Sequence, residues 1–108
     1  GNHIDIPIVG VGVSRDPENQ QPLVLKEAQA VCDLLGIGVT VRPEDVTCVG
    51  GYWQPKYSVP NARMVEAVQM LARTEGIPLD PVYTGKIMAG LIDLAREGFF
   101  APGERVLF

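Results

Sequence analysis

The run Ile6-Pro7-Ile8-Val9-Gly10-Val11-Gly12-Val13 decides the fold class. It is nearly continuously apolar and rich in β-branched residues, where a half-exposed strand would alternate apolar with polar side chains. Such a run predicts a strand buried on both faces of a parallel sheet. A polar turn follows over Ser14–Asn19, and then Val24, Ala28, Val31 and Leu35 recur at i, i+4, i+7 and i+11. That spacing draws one apolar stripe along a helix, and Gly36 ends it. Gly38–Arg42 reads as extended, Pro43-Glu44-Asp45 as a turn, and Val46–Gly50 as a second strand broken by Gly50-Gly51.

Two more helices are legible. Asn61 is a good N-cap type for a helix running through Glu75, with Met64, Val65, Val68, Leu71 and Ala72 expected to face inward and Gly76 at C′. In Leu79-Asp80-Pro81-Val82-Tyr83-Thr84-Gly85-Lys86, Asp80 and Thr84 are both N-cap types and Pro81 suits a first turn. Met88, Leu91, Ile92 and Ala95 then recur at helical spacing up to Gly98. Pro102-Gly103 turns the chain into Arg105–Phe108, which reads as a strand. The alternation predicts an α/β architecture: one segment over residues 1–108, a partial three-layer α/β/α unit with a mostly parallel sheet. Because the chain stops inside an apparent core strand, the expectation is a piece of a larger protein, cut at both ends.

Composition narrows the function classes. The chain has 108 residues, 46% hydrophobic and 20% charged, as expected of a folded domain. A formal charge of −4 with no basic run argues against nucleic acid as a partner. No apolar run reaches the roughly 20 residues that cross a bilayer, and Gly1–Asp5 has no secretory pattern, so a cytoplasmic location is the default. Cys32 and Cys48 have no metal-type spacing and read as reduced, buried residues. His3 is the single histidine and lies beside a terminus, a poor foundation for a catalytic triad or a metal cluster. The Gly10 and Gly12 pair lacks the last glycine of a dinucleotide loop, since Arg15 stands there. Close packing of a helix on the strand explains these two glycines better.

Tyr83 sits where a helix begins, near the positive end of the macrodipole and near unpaired backbone N–H groups. That setting favours an anionic ligand and lowers the cost of a phenolate. On physics alone, a half-buried tyrosine packing against a helix start is the better account. A resemblance weighs against that bland reading. The segments "QPKYSVPNARMVEAVQMLARTEGI" and "EGIPLDPVYTGKIMAGLIDL" resemble the C-terminal region of the D-cysteine desulfhydrase / 1-aminocyclopropane-1-carboxylate deaminase family. Members are pyridoxal-phosphate enzymes with the tryptophan-synthase-β type of fold. The match is strong over Pro55–Phe108 and looser over residues 1–50. It implies that this chain belongs to the larger domain of such an enzyme, a homodimer when whole, acting on a small amino acid.

By this resemblance Tyr57 and Tyr83, 26 residues apart, are the two tyrosines that the family brings to its substrate. Tyr83 has the better claim to proton transfer, because the helix terminus stands behind it. The family's Schiff-base lysine and Asn-rich loop belong near the N-terminus of the full chain, so this piece alone is expected to be inactive. Lys86 matches a different lysine of the motif, with a structural or solvated role; Lys26 and Lys56 are weaker candidates still. Thr84 is expected at the cofactor's pyridine nitrogen. In the cyclopropane deaminases that position holds a glutamate, which keeps the ring protonated; a threonine hydroxyl supplies no charge. Losing a thiolate needs a weaker electron sink than opening a cyclopropane, so Thr84 points to D-cysteine β-elimination. The alternatives are the deaminase reaction and, from another class, an α/β module that binds a partner without catalysis. Asp80 and Asn61 are each explicable as caps, Glu75 as surface, and Trp53 as cover for a core edge.

Overall fold

The computed structural model describes residues 6–108. Its elements are β1 (Val9–Val11), α1 (Pro17–Leu34), a 3-10 turn (Pro43–Asp45), β2 (Thr47–Val49), α2 (Ala62–Thr74) and α3 (Thr84–Arg96). The two strands pair in parallel with Val9 opposite Thr47, Gly10 opposite Cys48 and Val11 opposite Val49. Gly12 N–H extends the ladder by donating to the Val49 carbonyl at 2.8 Å. Parallel neighbours require a crossover, and α1 supplies it. The α/β reading and the parallel sheet therefore stand.

The first strand is shorter than expected. Only Val9–Val11 is ladder; Ile6 and Ile8 are exposed, Ile8 by 81%. A strand buried on both faces needs a layer on each, and among the described residues no layer covers these two side chains. The terminal strand expected over Arg105–Phe108 is absent for a related reason. Pro102-Gly103 does turn, with Glu104 N–H donating to the Ala101 carbonyl. Residues 105–108 then run on exposed, without a ladder partner among the described residues.

The core lies where α2, α3 and β1 meet. Tyr52, Ala67, Met88 and Ala89 are buried together, with Val11, Val49, Leu71, Leu79, Leu91 and Ile92 packed around them. Asn61 caps α2 by accepting the Met64 N–H at 2.9 Å. Met64 is buried as expected, but Val65 and Ala72 point out and Ala67 takes the inward place. Gly76 and Gly98 follow α2 and α3 with φ of +69° and +75°, a left-handed geometry that glycine adopts without a Cβ penalty. At the second site Phe99 N–H reaches the Leu94 carbonyl and Gly98 N–H the Ala95 carbonyl, so the last carbonyls of α3 are satisfied.

Close approach to β1 is made by a glycine of α3, not by the strand glycines. A Cβ on Gly90 would stand 2.9 Å from Val11 Cγ1, and one on Gly85 2.8 Å from Val68 Cγ2 of α2. Gly12, by contrast, lies just past β1 and is tight against the Arg15 carbonyl, at 2.7 Å from a built Cβ. It serves the turn that leaves the strand. The expected helix-on-strand role of Gly10 and Gly12 is thus replaced by Gly90.

Helix α1 forms as the spacing predicts, yet buries nothing: Val31 and Leu35 are exposed. Its polar side does the attaching. Gln21 Nε2 donates to the carbonyls of Pro43 and Val46, and Gln29 exchanges hydrogen bonds with Val39 and Val41. A periodic stripe reveals which face is apolar, but not what covers it. Cys32 and Cys48 are free, as expected, and half-buried where full burial was expected, because α1 and the edge of β2 are only partly covered.

A two-tyrosine site at the head of helix α3

The head of α3 is organised by one carboxylate. Asp80 Oδ1 accepts the backbone N–H groups of Val82 and Tyr83, and Oδ2 accepts the Thr84 N–H at 2.9 Å and the Thr84 hydroxyl. The Asp80 N–H returns a bond to Thr84 Oγ1 at 2.9 Å. These donors, the Thr84 hydroxyl first and the backbone amides after it, hold the Asp80 carboxyl far below the usual carboxylate range. Pro81–Tyr83 form the entry turn and Tyr83 takes the N-cap position. The expectation of unpaired N–H groups beside Tyr83 is therefore corrected. Asp80 has already taken them.

Tyr57 comes from the segment between β2 and α2, which has neither helix nor strand. Its backbone is held by side chains from elsewhere. Asn61 Nδ2 donates to the carbonyls of Tyr52 and Gln54 at 2.9 and 2.8 Å, while its Oδ1 caps α2. The Trp53 indole N–H donates to Asp16 Oδ1 at 2.8 Å, tying the segment to the start of α1. Trp53, expected as cover for a core edge, is half-buried and serves here as a polar tether. Ser58, next to Tyr57, has φ of +64°, a conformation that costs a non-glycine residue roughly 1–2 kcal/mol.

These anchors bring Tyr57 to Tyr83. The two hydroxyls are hydrogen-bonded, with ring centroids 6.1 Å apart and planes at 61°. The residues are 45% and 49% exposed, so each ring keeps a free edge. The hydrogen bond with Tyr83, and to a lesser extent desolvation, push the Tyr57 phenol above its ordinary value. Either phenol can be the donor in their shared hydrogen bond. Tyr52, the third tyrosine, is a core residue whose phenol is raised mainly by burial.

Lys86 is 0% exposed. Its Nζ donates to the Trp53 carbonyl at 3.0 Å and reaches the Lys56 carbonyl at 3.4 Å. Of the two roles expected for it, the solvated one is excluded. The second task of Asn61 and the two carbonyl bonds of Lys86 were invisible in the sequence. The one available signal was spacing: Lys86 lies three residues after Tyr83 and so shares its helix face.

The hydroxyls of Tyr57 and Tyr83 meet at the head of α3, and Thr84, the next residue along, carries a hydroxyl engaged with Asp80. Thr84 Oγ1 can offer a ring nitrogen its remaining lone pair, or its proton if it turns from Asp80, but in neither case a charge. Among the described residues no cluster of His, Cys, Asp or Glu could hold a metal ion. His3 lies outside the described residues. Also among the described residues, no helix is long and apolar enough to cross a membrane.

Comparison with known proteins gives this geometry a family. Over 101 residues the chain is 40% identical to a 1-aminocyclopropane-1-carboxylate deaminase of Allorhizobium ampelinum and 45% identical to a D-cysteine desulfhydrase of Yersinia enterocolitica. Each alignment covers 94% of this chain and 30% of the relative, so the chain spans about a third of the length of these proteins. A crystal structure of an ACC deaminase homologue superposes with a TM-score of 0.73 at 34% identity, over 86% of this chain and 27% of that one. The family described as pyridoxal-phosphate dependent enzyme matches residues 2–108, and the chain belongs to it.

Proposed function

We propose that this chain is part of a pyridoxal-phosphate-dependent lyase that eliminates sulfide from D-cysteine, leaving pyruvate and ammonia. The observation that carries the reading is the meeting of the Tyr57 and Tyr83 hydroxyls at the head of α3, in a chain of this family. When bound, the cofactor supplies a sink for the electron pair left as the substrate's α-proton departs. The residues of this chain bind and handle protons around it. Tyr57, whose phenol the bond to Tyr83 pushes above its ordinary value, donates to the substrate carboxylate. Tyr83 holds or moves a proton at its phenol oxygen, relaying through Tyr57. In the net reaction the Cα–H and Cβ–S bonds break, sulfide leaves, and the released enamine takes up water to give pyruvate and ammonia.

Thr84 supports sulfide loss over ring opening. Placed at the ring nitrogen it offers a hydroxyl already engaged with Asp80. The Asp80 carboxylate is itself satisfied by donors of the entry turn. A sink without a fixed positive charge suits departure of a thiolate. The second reading, 1-aminocyclopropane-1-carboxylate deamination, is favoured by the relatives that carry that name.

The test uses the full-length enzyme that carries this chain. D-cysteine should give pyruvate and sulfide, and the cyclopropane acid no 2-oxobutyrate; the reverse pattern replaces the first reading with the second. Thr84→Glu should shift the ratio of the two kcat/KM values toward the cyclopropane acid. Borohydride reduction should fix the pyridoxyl group on a lysine other than Lys86. Failure to bind the cofactor at all would return the chain to the class of binding modules.

A further inference from the structure

We propose that Lys86 is the positioning residue of the two-tyrosine site: its buried ammonium ties the Trp53–Lys56 segment to α3 and so sets where the Tyr57 hydroxyl meets that of Tyr83. The inference rests on the proposed function for its catalytic meaning, but its geometry stands apart from that reading.

The placement is specific. The Lys56 carbonyl belongs to the same peptide unit as the Tyr57 nitrogen, and Lys86 Nζ lies 3.4 Å from it. The other contact, at 3.0 Å, is to the Trp53 carbonyl. On the helix side, Lys86 stands one turn after Tyr83 on the same face. One side chain thus links the peptide that carries the first phenol to the turn that carries the second. Among the other bonds, Asn61 serves the carbonyls of Tyr52 and Gln54 and Asp16 the Trp53 indole and the Gln54 amide, while the Val59 N–H shares the Lys56 carbonyl from within the same loop and so does not join it to α3.

The physical drive is strong. A buried ammonium must be compensated, and among the described residues Lys86 has no carboxylate partner. The two carbonyl dipoles take that role, so the ammonium draws the segment onto α3. Without Lys86 the Trp53 carbonyl would lose its donor. The segment, which also carries Ser58 in the left-handed region, would lose both of its hydrogen bonds to Lys86, which among the described residues are its links to α3 besides the tyrosine pair itself. Displacement of a positioned group by about 1 Å can cost on the order of 10²-fold in rate.

The experiment compares the full-length enzyme with its Lys86→Met variant, which keeps the apolar stem and removes the donors. Expected are a fall in kcat of about 10²-fold with KM little changed. Expected too is a downward move of the Tyr57 titration toward the ordinary phenol range, read in the cofactor-free protein by NMR of ring-labelled tyrosine assigned with Tyr57→Phe. A folded Lys86→Met variant whose Tyr57 still titrates high overturns the proposal, whatever its activity. If the variant does not fold, reductive methylation of the unmodified enzyme decides. Lys86 left unmodified while Lys26 and Lys56 react upholds the clamp, and equal reaction at all three overturns it. Should the unmodified enzyme attack neither amino acid, the proposed function fails, while the tyrosine titration still reports on the clamp.

Discussion

Tyr57 and Tyr83 share a hydrogen bond between their phenol oxygens, although one belongs to an irregular segment and the other stands at the N-cap position of a helix. In the full-length enzyme each single change to phenylalanine should lower kcat by on the order of 10²-fold if the pair moves a proton. The double variant should lose little more than the worse single one, because both hydroxyls act as a unit. Tyr83→Phe should also bring the Tyr57 titration down toward 10.0, since the Tyr83 hydrogen bond is the largest cause of its elevation. Independent, additive losses would mean that the contact is structural.

Asp80 makes the head of α3 sensitive to acid in a defined direction. Its folded carboxyl titrates below the unfolded value of 3.8, so its contribution is present in full above that value and is lost as the pH falls through the folded one. Asp80→Ala should therefore lower Tm by the same amount from pH 7 down to about pH 5. The difference should shrink only in more acidic solution. Thermal scans across that range check it, and a gap that closes already near pH 5 contradicts the network around Thr84.

The glycines of α3 should resist enlargement unequally. Gly90→Ala meets the stiff, β-branched Val11 at 2.9 and 3.1 Å, an overpacking that costs about 1–3 kcal/mol. Up to about 1 kcal/mol of helix propensity is regained. Gly85→Ala should be worse, because its built Cβ lies 2.8 Å from the Asp80 backbone carbonyl, which cannot rotate away. Urea midpoints in the order wild type, Gly90→Ala, Gly85→Ala are expected, and a stabilised Gly85→Ala would refute the close contact.

Asn61 has two jobs that one substitution can separate. Asn61→Asp keeps the oxygen that caps α2 but removes the amide that serves the Tyr52 and Gln54 carbonyls. The orphaned carbonyls should cost about 1–3 kcal/mol even with the cap intact. Asn61→Ala should cost about 1 kcal/mol more through loss of the cap. Chemical denaturation measures both, and an unchanged Asn61→Asp variant would show that the cap is the only role.

The helices and the parallel strand pairing were readable from neighbouring residues, because their signals are local. Asn61 and Gly76 frame α2, the Asp80-Pro81 turn and Gly98 frame α3, and Val9–Val11 reads as strand from its β-branched side chains. The two tyrosines were legible too, as a resemblance. What covers a surface was not: the stripe of α1, the flanks of β1 and the run 105–108 promised burial that no described neighbour supplies. Nor could spacing reveal that Asp80 consumes the amides at the head of α3, or that Lys86 reaches back to the carbonyl preceding Tyr57. Those contacts join residues about 30 positions apart or depend on the exact path of a turn. Periodicity and capping are written in neighbouring residues, whereas burial of a charge and the meeting of two phenols exist only once the chain has folded back on itself.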